Sequence, residues 1–302
     1  MSPVYSIIIP HRNTPLLLRR LLQSIPERPD TEVIVIDDCS DSEYQTELAR
    51  LQEEFSQFSF LSTPSNQWPA GARNQGIENA KGKYLIFADA DDFFLPTFNE
   101  VLTDYAATDF DIVFCNAQSV DSATLQPANR AEYFPRLLNR FLTSGQIDHI
   151  RVAFAVVWGR LISRSLIVDN NISFEPVEVN EDVMFSTLSG IAAKKVTADL
   201  RPIYCVTARE GSMSTLLTRE AVLQRLRISI ARNRLLVNSG FPHLKGDPSL
   251  LHHFLEIDRA AIHGLKKEAL EICRQAGYST WLIRRRLATF KLRSALSRLL
   301  HR

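Results

Sequence analysis

Two aspartates that stand two residues apart, Asp89 and Asp91, are the side chains of this sequence best suited to metal chemistry. They follow the apolar run 84–87, which is typical of a buried strand, and Asp92 comes directly after them. In an extended segment this spacing places both carboxylates on one side, where they repel unless a cation or a proton lies between them. Mg²⁺ or Mn²⁺ bound to a diphosphate would neutralise them. The alternative is that these aspartates only form a turn or a helix N-cap.

Polar residues also follow two earlier strands of the predicted fold. The β-branched run 6–10 closes at Pro10 and is followed by His11, and the run 31–36 ends at Asp37 and Asp38. These strands alternate with amphipathic helical segments, which indicates an α/β protein with a doubly wound, mostly parallel sheet. In such a sheet the carboxyl ends of the strands share one rim. We therefore expect all of these side chains to face one crevice.

A helix start after the second acidic cluster carries Arg73. Residues 66–77 read as a loop that enters a helix, and Arg73 lies in an early turn of it. Backbone N–H groups and the helix dipole favour an anion there, so a nucleotide diphosphate would fit. The alternative is a solvated helix start with a local ion pair.

A second acidic pair, Glu181 and Asp182, opens a later helix with Asn180 as its N-cap. The helix dipole is expected to keep a carboxylate in the first turn ionised, as a general base requires. Ordinary helix-start acids have the same pattern, so this pair alone does not identify a catalytic residue.

The middle of the chain is less regular. Residues 119–130 read as a polar loop, and residues 150–162 as a strand that turns into a short helix at 163–165. Trp158 in that stretch is either part of a sugar pocket or a core tryptophan. A polar loop at 209–214 is expected to close over bound phosphate.

Composition narrows the classes of protein that fit. The 302 residues are 45% hydrophobic with a net charge of +1, which allows a large core and gives no indication of a nucleic-acid partner. The four cysteines form no Cys-x-x-Cys pair, which favours reduced thiols in a cytoplasmic protein. No Gly-x-Gly-x-x-Gly, phosphate-loop or Gly-x-Ser-x-Gly motif is present, which argues against dehydrogenases, P-loop ATPases and serine hydrolases.

The last part of the chain has a different character. After about residue 216 the pattern is helical, and eight Lys and Arg but no Asp or Glu follow Glu271. Residues 281–302 form a cationic amphipathic pattern. Such a helix would lie on anionic lipid, on the preceding domain or on a second subunit, and the pattern does not choose among them.

Taken in chain order, several segments resemble the family 2 glycosyltransferases, nucleotide-sugar enzymes of the GT-A fold. The segments that carry the resemblance are Ser6–Pro10, Val33–Asp41, Gly71–Gly76, Phe87–Asp92, Trp158–Leu161 and Asn180–Asp182. The resemblance implies a GT-A domain at 1–215 with a Rossmann-like sheet, followed by a C-terminal helical region at 216–302. It also implies transfer from a nucleotide-diphosphate sugar, with a UDP-sugar as the expected donor, to a hydroxyl of a glycan or a lipid-linked acceptor.

The resemblance also implies roles for single residues. On the nucleotide side, the implied contacts are Asp38 to the uracil, Pro10 and His11 to the base pocket, Arg73 to the nucleotide, and Asp89 to the ribose or the metal shell. On the catalytic side, Asp91 would bind Mn²⁺ or Mg²⁺ and Asp182 would act as base in an inverting transfer. Trp158 and Glu181 are candidates for a sugar or acceptor pocket.

Two other activities remain as alternatives, a carbohydrate-binding protein without catalysis and a nucleotidyltransferase. The expected setting is bacterial surface-polysaccharide synthesis in the cytoplasm, with peripheral contact to the inner face of the membrane or a homo-oligomer formed through the C-terminal helices.

Overall fold

The structure is a computed structural model that describes residues 2–209, 216–241 and 247–289. The chain divides into two compact units, Met1–Glu210 and Gly211–Arg302, which are taken one at a time below. The assignment of separate functions to 1–215 and 216–302 stays a prediction.

The first unit is built on one eight-stranded sheet. Its strands are β1 Tyr5–His11, β2 Thr31–Asp37, β3 Ser59–Ser62, β4 Tyr84–Phe87, β5 Phe93–Phe94, β6 Ile112–Asp121, β7 Arg160–Ser163 and β8 Val196–Ala208. They lie in the order β3-β2-β1-β4-β7-β6-β8-β5. β1 runs parallel to β2 and β4, β2 parallel to β3, and β6 parallel to β8, whereas β7 and β5 are antiparallel to their neighbours. The expected α/β class is therefore confirmed.

Helices flank this sheet. They are α1 Pro15–Gln23, α2 Gln45–Glu54, α3 Trp68–Asn79, α4 Thr97–Tyr105, α5 Tyr133–Ser144, α6 Ile147–Ala153, α7 Arg164–Asp169 and α8 Glu181–Ala192. The packing of α3 on β1 depends on Gly76, where an added Cβ would lie 2.3 Å from Ile8 Cγ2. This close approach sets the height of α3 above the sheet, and so the position of Arg73 one turn earlier.

Every residue of β1 is buried, and so are the four central residues of β2 and all of β4. Such fully buried runs of β-branched and aromatic residues are expected for central parallel strands, and α3 packs on β1 and β2. These strands follow the sequence expectation, and α1 and α2 are among the helical segments expected between them.

The expectations for the middle of the chain were partly wrong. Residues 150–153 belong to the helix α6 rather than to a strand, and Arg151 Nε and Nη2 hold this helix against the end of α8 by donating to the carbonyls of Gly190 and Ile191 at 2.8 and 2.6 Å. β7 begins only at Arg160, and the short helix expected next is α7. The loop expected from residue 119 starts later, since β6 continues to Asp121 along β8.

The second unit is helical in the part that the structure describes. It contains α9 Arg219–Asn238, α10 Asp247–Ala260 and α11 Leu265–Gln275, and residues 280–289 are also helical. Its own core includes Leu226, Phe254 and Cys273. None of the described helices combines the length and the apolar character needed to cross a membrane. Residues 290–302 of the expected basic tail lie outside the described residues.

Candidate functional site

The carboxyl ends of β1, β2 and β4 form one rim, as the parallel pairing requires. Pro10 pairs with Ile36, and His11 with Asp37. On the other side of β1, Ile8 pairs with Phe87, the last residue of β4, and the Ala88 N–H donates to the Ile8 carbonyl at 3.1 Å. The residues that follow these three strands therefore lie side by side.

At the β1–β2 end of the rim, the polar groups form a closed hydrogen-bond network. Both ring nitrogens of the buried His11 have partners, since Nδ1 donates to Asp37 Oδ1 at 2.9 Å and Nε2 accepts the Thr14 N–H at 3.2 Å. The ring thus holds the loop, and Pro10 beside it is also buried. Any contact of His11 with a base would be made by apolar or backbone atoms.

Asp38 is buried and anchors the entry to α3. One of its carboxylate oxygens, Oδ1, accepts hydrogen bonds from Thr63 Oγ1 at 2.7 Å and from the Gln67 N–H at 2.8 Å. Asp38 lies at the carboxyl end of β2 on the rim, and its contact with a uracil stays a prediction.

Arg73 forms the link between the strand rim and the helix α8. Its Nη2 donates to Asp89 Oδ1 at 2.6 Å and its Nη1 to Glu181 Oε1 at 2.5 Å. The guanidinium is 5% exposed and lies over the ring of Phe174, 5.4 Å from its centroid. Because both acids are close, the pKa of Arg73 is raised even though burial opposes this. Arg73 therefore bridges two predicted site residues, Asp89 and Glu181.

Asp91 and Asp92 have different surroundings. Asp91 keeps its carboxylate partly exposed, and Arg209 Nε donates to its Oδ2 at 2.7 Å. Asp92 is buried and accepts the Thr207 N–H at 2.7 Å, so it ties the end of β4 to β8. Of these two acids, Asp91 is the one that remains open to a ligand, and Asp92 supports it. The rest of the expected phosphate-closing loop, residues 210–215, lies outside the described residues.

The start of α8 presents Asp182 to the same cluster. Asn180 is the N-cap residue and has a left-handed backbone with φ 58°, a conformation that asparagine tolerates, but its side chain makes no capping bond. Burial and the neighbouring carboxylates of Glu181 and Asp89 raise the pKa of Asp182 to about 7, while Arg73 and Arg160 oppose the shift. This direction is opposite to the dipole effect expected from the sequence, because desolvation and like charges outweigh the helix end.

Trp158 occupies the core. It is 8% exposed, stacks on Tyr204 at 5.8 Å between ring centroids, and meets Phe134 at 4.7 Å. The interpretation of Trp158 as a core tryptophan fits these contacts, and its rings leave little surface for a sugar.

Three polar residues of the site had no recognisable sequence signal. Arg20 binds the Asp91 carbonyl through Nη2 at 2.5 Å, Tyr204 accepts the Asp89 N–H at 2.8 Å, and Ser186 binds the buried Arg160. Each makes its contact across 26 or more residues of chain. Of the three, only Arg20 could have been suspected from the sequence, because it lies in the last turn of the amphipathic helix α1.

The acids suit a divalent cation that a substrate shares. Asp89 and Asp91 offer hard carboxylate oxygens at the end of β4, and burial and the charge of Asp91 raise the pKa of Asp89 despite Arg73. Within the described residues no three His, Cys, Asp or Glu side chains converge as a metal cage. A site with one or two carboxylates, completed by phosphate oxygens, is the kind that Mg²⁺ and Mn²⁺ use.

A mostly parallel sheet with acids at its rim and a further acid on a following helix agrees with the expected GT-A type of α/β fold. The sequence profile described as "Glycosyl transferase family 2" matches residues 6–169, more than half of the chain. The chain belongs to this family, as its motifs suggested.

Curated relatives give the same family. A cholesterol galactosyltransferase of Borreliella burgdorferi is 29% identical over 215 residues, which cover 67% of this chain and 58% of the relative. An uncharacterized glycosyltransferase of Escherichia coli is 32% identical over 193 residues, 60% of this chain and 55% of the relative. The chain thus matches little more than half the length of these relatives.

Solved structures share the fold. The crystal structure of Staphylococcus aureus TarS 1–349 in complex with UDP-GlcNAc superposes with a TM-score of 0.66 at 18% identity, covering 91% of this chain and 81% of that one. A mannosyltransferase of Pyrobaculum calidifontis in complex with GDP-Man and Mn²⁺ gives 0.59 at 15% identity, covering 98% and 81%.

Proposed function

We propose that the protein is a metal-dependent, inverting glycosyltransferase that moves a sugar from a UDP-sugar to an acceptor hydroxyl. The observation that carries the proposal is the Asp89–Arg73–Glu181 bridge, which joins the end of β4 to the start of α8. Asp91 follows Asp89 by two residues and Asp182 follows Glu181 directly, so the bridge supports one shared site for the proposed metal ligand, Asp91, and the proposed base, Asp182. The complexes of TarS with UDP-GlcNAc and of the mannosyltransferase with GDP-Man support a nucleotide-sugar donor.

Departure of a diphosphate requires positive charge beside it, and Asp91 and Arg209 are the residues proposed to supply that charge, Asp91 through a bound metal ion. Asp91 would hold Mn²⁺ or Mg²⁺ against the phosphates, and Arg209 stands beside it. The ion would supply positive charge to the leaving diphosphate. Asp38, Pro10 and His11 form the wall on which the nucleotide base would lie, and Arg73 and Asp89 the wall nearer the ribose.

Asp182 is the group that would accept the proton of the attacking hydroxyl. Its pKa of about 7 places it where a base is both available and strong enough near neutral pH. Attack from the side opposite the leaving group would invert the anomeric centre. Glu181, held by Arg73, would fix the start of α8 on which Asp182 lies.

The acceptor is proposed to be a hydroxyl of a glycan or a lipid-linked glycan in a bacterial envelope. The names of the relatives support acceptors of this type, since one is a cholesterol galactosyltransferase and another a poly(ribitol-phosphate) N-acetylglucosaminyltransferase. The second unit adds a surface suited to the inner face of the membrane. Trp281 is 66% exposed, and Arg285 stacks on it at 5.4 Å.

The test is release of free nucleotide from a panel of UDP- and GDP-sugars with Mn²⁺. We expect release from a UDP-sugar that requires Mn²⁺ or Mg²⁺ and that Asp182→Asn removes. Binding of a nucleotide sugar without release, in the presence of several glycan acceptors, would instead identify a binding protein and overturn the proposal.

A further inference from the structure

The side chain of Arg160, the first residue of β7, is completely buried and makes a single hydrogen bond within the part of the chain that the structure describes. Its Nη2 donates to Ser186 Oγ at 2.8 Å, whereas Nε and Nη1 have no partner among the described residues. The Arg160 guanidinium carbon also lies 5.7 Å from the centroid of the Phe154 ring. Buried donors without partners lower the stability of a protein. We therefore expect a negative charge near a buried guanidinium of this kind.

The bond to Ser186 points to Asp182 as that charge. Ser186 follows Asp182 by four residues on α8, so the two side chains lie on the same face of the helix, one turn apart. The guanidinium is therefore held beside the face that carries Asp182. Burial lowers the pKa of Arg160, and the charge of Asp182 opposes that shift.

The charges that face Asp182 come from four elements. Glu181 on its own helix and Asp89 after β4 repel its negative charge, whereas Arg73 on α3 and Arg160 on β7 attract it. Arg73 already uses both Nη atoms on Asp89 and Glu181. Arg160 is the cation in this group whose donors are not divided between other carboxylates.

We propose that Arg160 is a positioning residue for sugar transfer, and that its charge, held in place through Ser186, increases the ionised fraction of Asp182 at neutral pH. The inference rests on the proposed function. In that reaction the acceptor oxygen bonds to the anomeric carbon, its proton passes to a carboxylate oxygen of Asp182, and the bond to the diphosphate breaks with its electron pair on the diphosphate. A protonated Asp182 could not take this proton.

The first test is the pH profile of kcat/KM for UDP release from a UDP-sugar with Mn²⁺, for the wild type and Arg160→Met. We expect the acidic limb of the variant to move up by about one pH unit, which gives roughly a tenfold loss near pH 6 that closes by about pH 9. Equal loss at every pH, or an unmoved limb, would show that Arg160 serves only the packing of the core.

Two milder variants keep the inference testable if Arg160→Met does not fold. Arg160→Lys retains the charge and should keep the acidic limb near that of the wild type. Ser186→Ala frees the guanidinium and should move the limb in the same direction as Arg160→Met, but by less. Ser186→Ala with an unchanged limb would contradict the role of the Ser186 bond. Arg50→Met, which removes an exposed arginine on α2, is the matched control and should leave the profile unchanged.

A direct titration separates this inference from the proposed function. The carboxyl ¹³C signal of Asp182, assigned by its absence in Asp182→Asn, should titrate at higher pH in Arg160→Met than in the wild type. Normal turnover by Asp182→Asn would refute the base assignment, but it would not affect the titration shift measured in Arg160→Met. An unshifted signal would refute the role of Arg160 alone.

Discussion

The pKa values of the buried carboxylates are shifted in opposite directions at the two ends of the acidic rim. Burial works to raise the pKa of Asp37, but hydrogen bonds from His11 and Ser40 outweigh it and lower the pKa. Toward β4 and α8 the balance is reversed, because burial and neighbouring carboxylates raise the pKa of Asp89 and Asp182 in spite of Arg73. At the β1–β2 end of the rim, the carboxylates have hydrogen-bond partners. At the end formed by β4 and α8, the carboxylates outnumber the cations that could neutralise them.

The direction of the pKa shift distinguishes acids with a structural role from acids suited to bind a ligand. The network around Asp37 and Asp38 needs nothing further, so it can give the proposed nucleotide pocket a rigid wall. The acids at β4 and α8 repel one another, and such clusters mark sites where a cation or a reacting group completes the charge balance. Changes at the second end should therefore alter catalysis and pH dependence most.

The largest effect is expected from removing the proposed base. Asp182→Asn should lower nucleotide release by about 10²- to 10⁴-fold, because the attacking hydroxyl loses its proton acceptor. Donor affinity, measured by calorimetry with UDP, should stay close to that of the wild type. Asp169→Asn, an exposed acid at the end of α7, is the control and should be fully active. Turnover of Asp182→Asn near the wild-type rate would remove the base assignment.

The next effect tests the open acid at the end of β4. Asp91→Ala should weaken UDP binding roughly tenfold or more with Mn²⁺ present and hardly at all in EDTA, because Asp91 would contact the nucleotide through the ion. EDTA should abolish nucleotide release by the wild type. Asp104→Ala, an exposed acid on α4, is the control. Transfer that continues without any divalent metal would exclude a metal role for Asp91.

The comparison also shows how far the sequence could predict the site. Strands β1, β2 and β4 were predictable because each is a short apolar run that ends in polar residues, and the parallel rule then places their ends together. The contact of Arg73 with Glu181 spans 108 residues and depends on where α8 packs, so no local pattern contains it. For the same reason the pKa of Asp182 was expected in the wrong direction, since the dipole of its own helix is local and its burial is not.

A third prediction concerns stability. Arg73→Met should lower the free energy of unfolding by about 3–5 kcal/mol, because Asp89 and Glu181 would lose a buried partner. Urea denaturation of the variant and the wild type measures this loss. Arg50→Met, which breaks an exposed pair with Glu47, should cost at most about 1 kcal/mol. Similar values for the two variants would contradict a buried bridge. Lower pH should reduce the loss in Arg73→Met, since unpaired carboxyls protonate more easily.

The raised pKa of Asp182 predicts a cost to the folded protein above neutral pH. Between the ordinary value of 3.8 and about 7, the folded protein retains a proton that the unfolded chain has lost, so stability from this group falls as pH rises through that interval. Asp182→Asn does not titrate, so it should be more stable than the wild type by about 1–3 kcal/mol near pH 8 and similar to it near pH 4. Urea midpoints at both pH values measure the difference. A stability difference that does not change with pH would contradict the raised pKa.

The last effect is expected outside the rim, on the helical segment 280–289. Its buried side chains are Ile283 and Leu287, which leaves Trp281, Arg284 and Arg285 exposed. Each arginine near anionic lipid contributes about 1 kcal/mol, so reversing both with Arg284→Glu and Arg285→Glu should weaken binding to vesicles of phosphatidylcholine and phosphatidylglycerol roughly tenfold to a hundredfold.

Sedimentation with these vesicles measures that change, and vesicles of phosphatidylcholine alone should bind the wild type weakly. A double variant of exposed cations in the first unit, Arg50→Glu with Lys195→Glu, should sediment like the wild type. Equal binding by both double variants would assign the attraction to net charge rather than to this helix. No binding by the wild type, together with a dimer in solution that Trp281→Ala dissociates, would show that the exposed face meets a second copy of the chain instead of lipid.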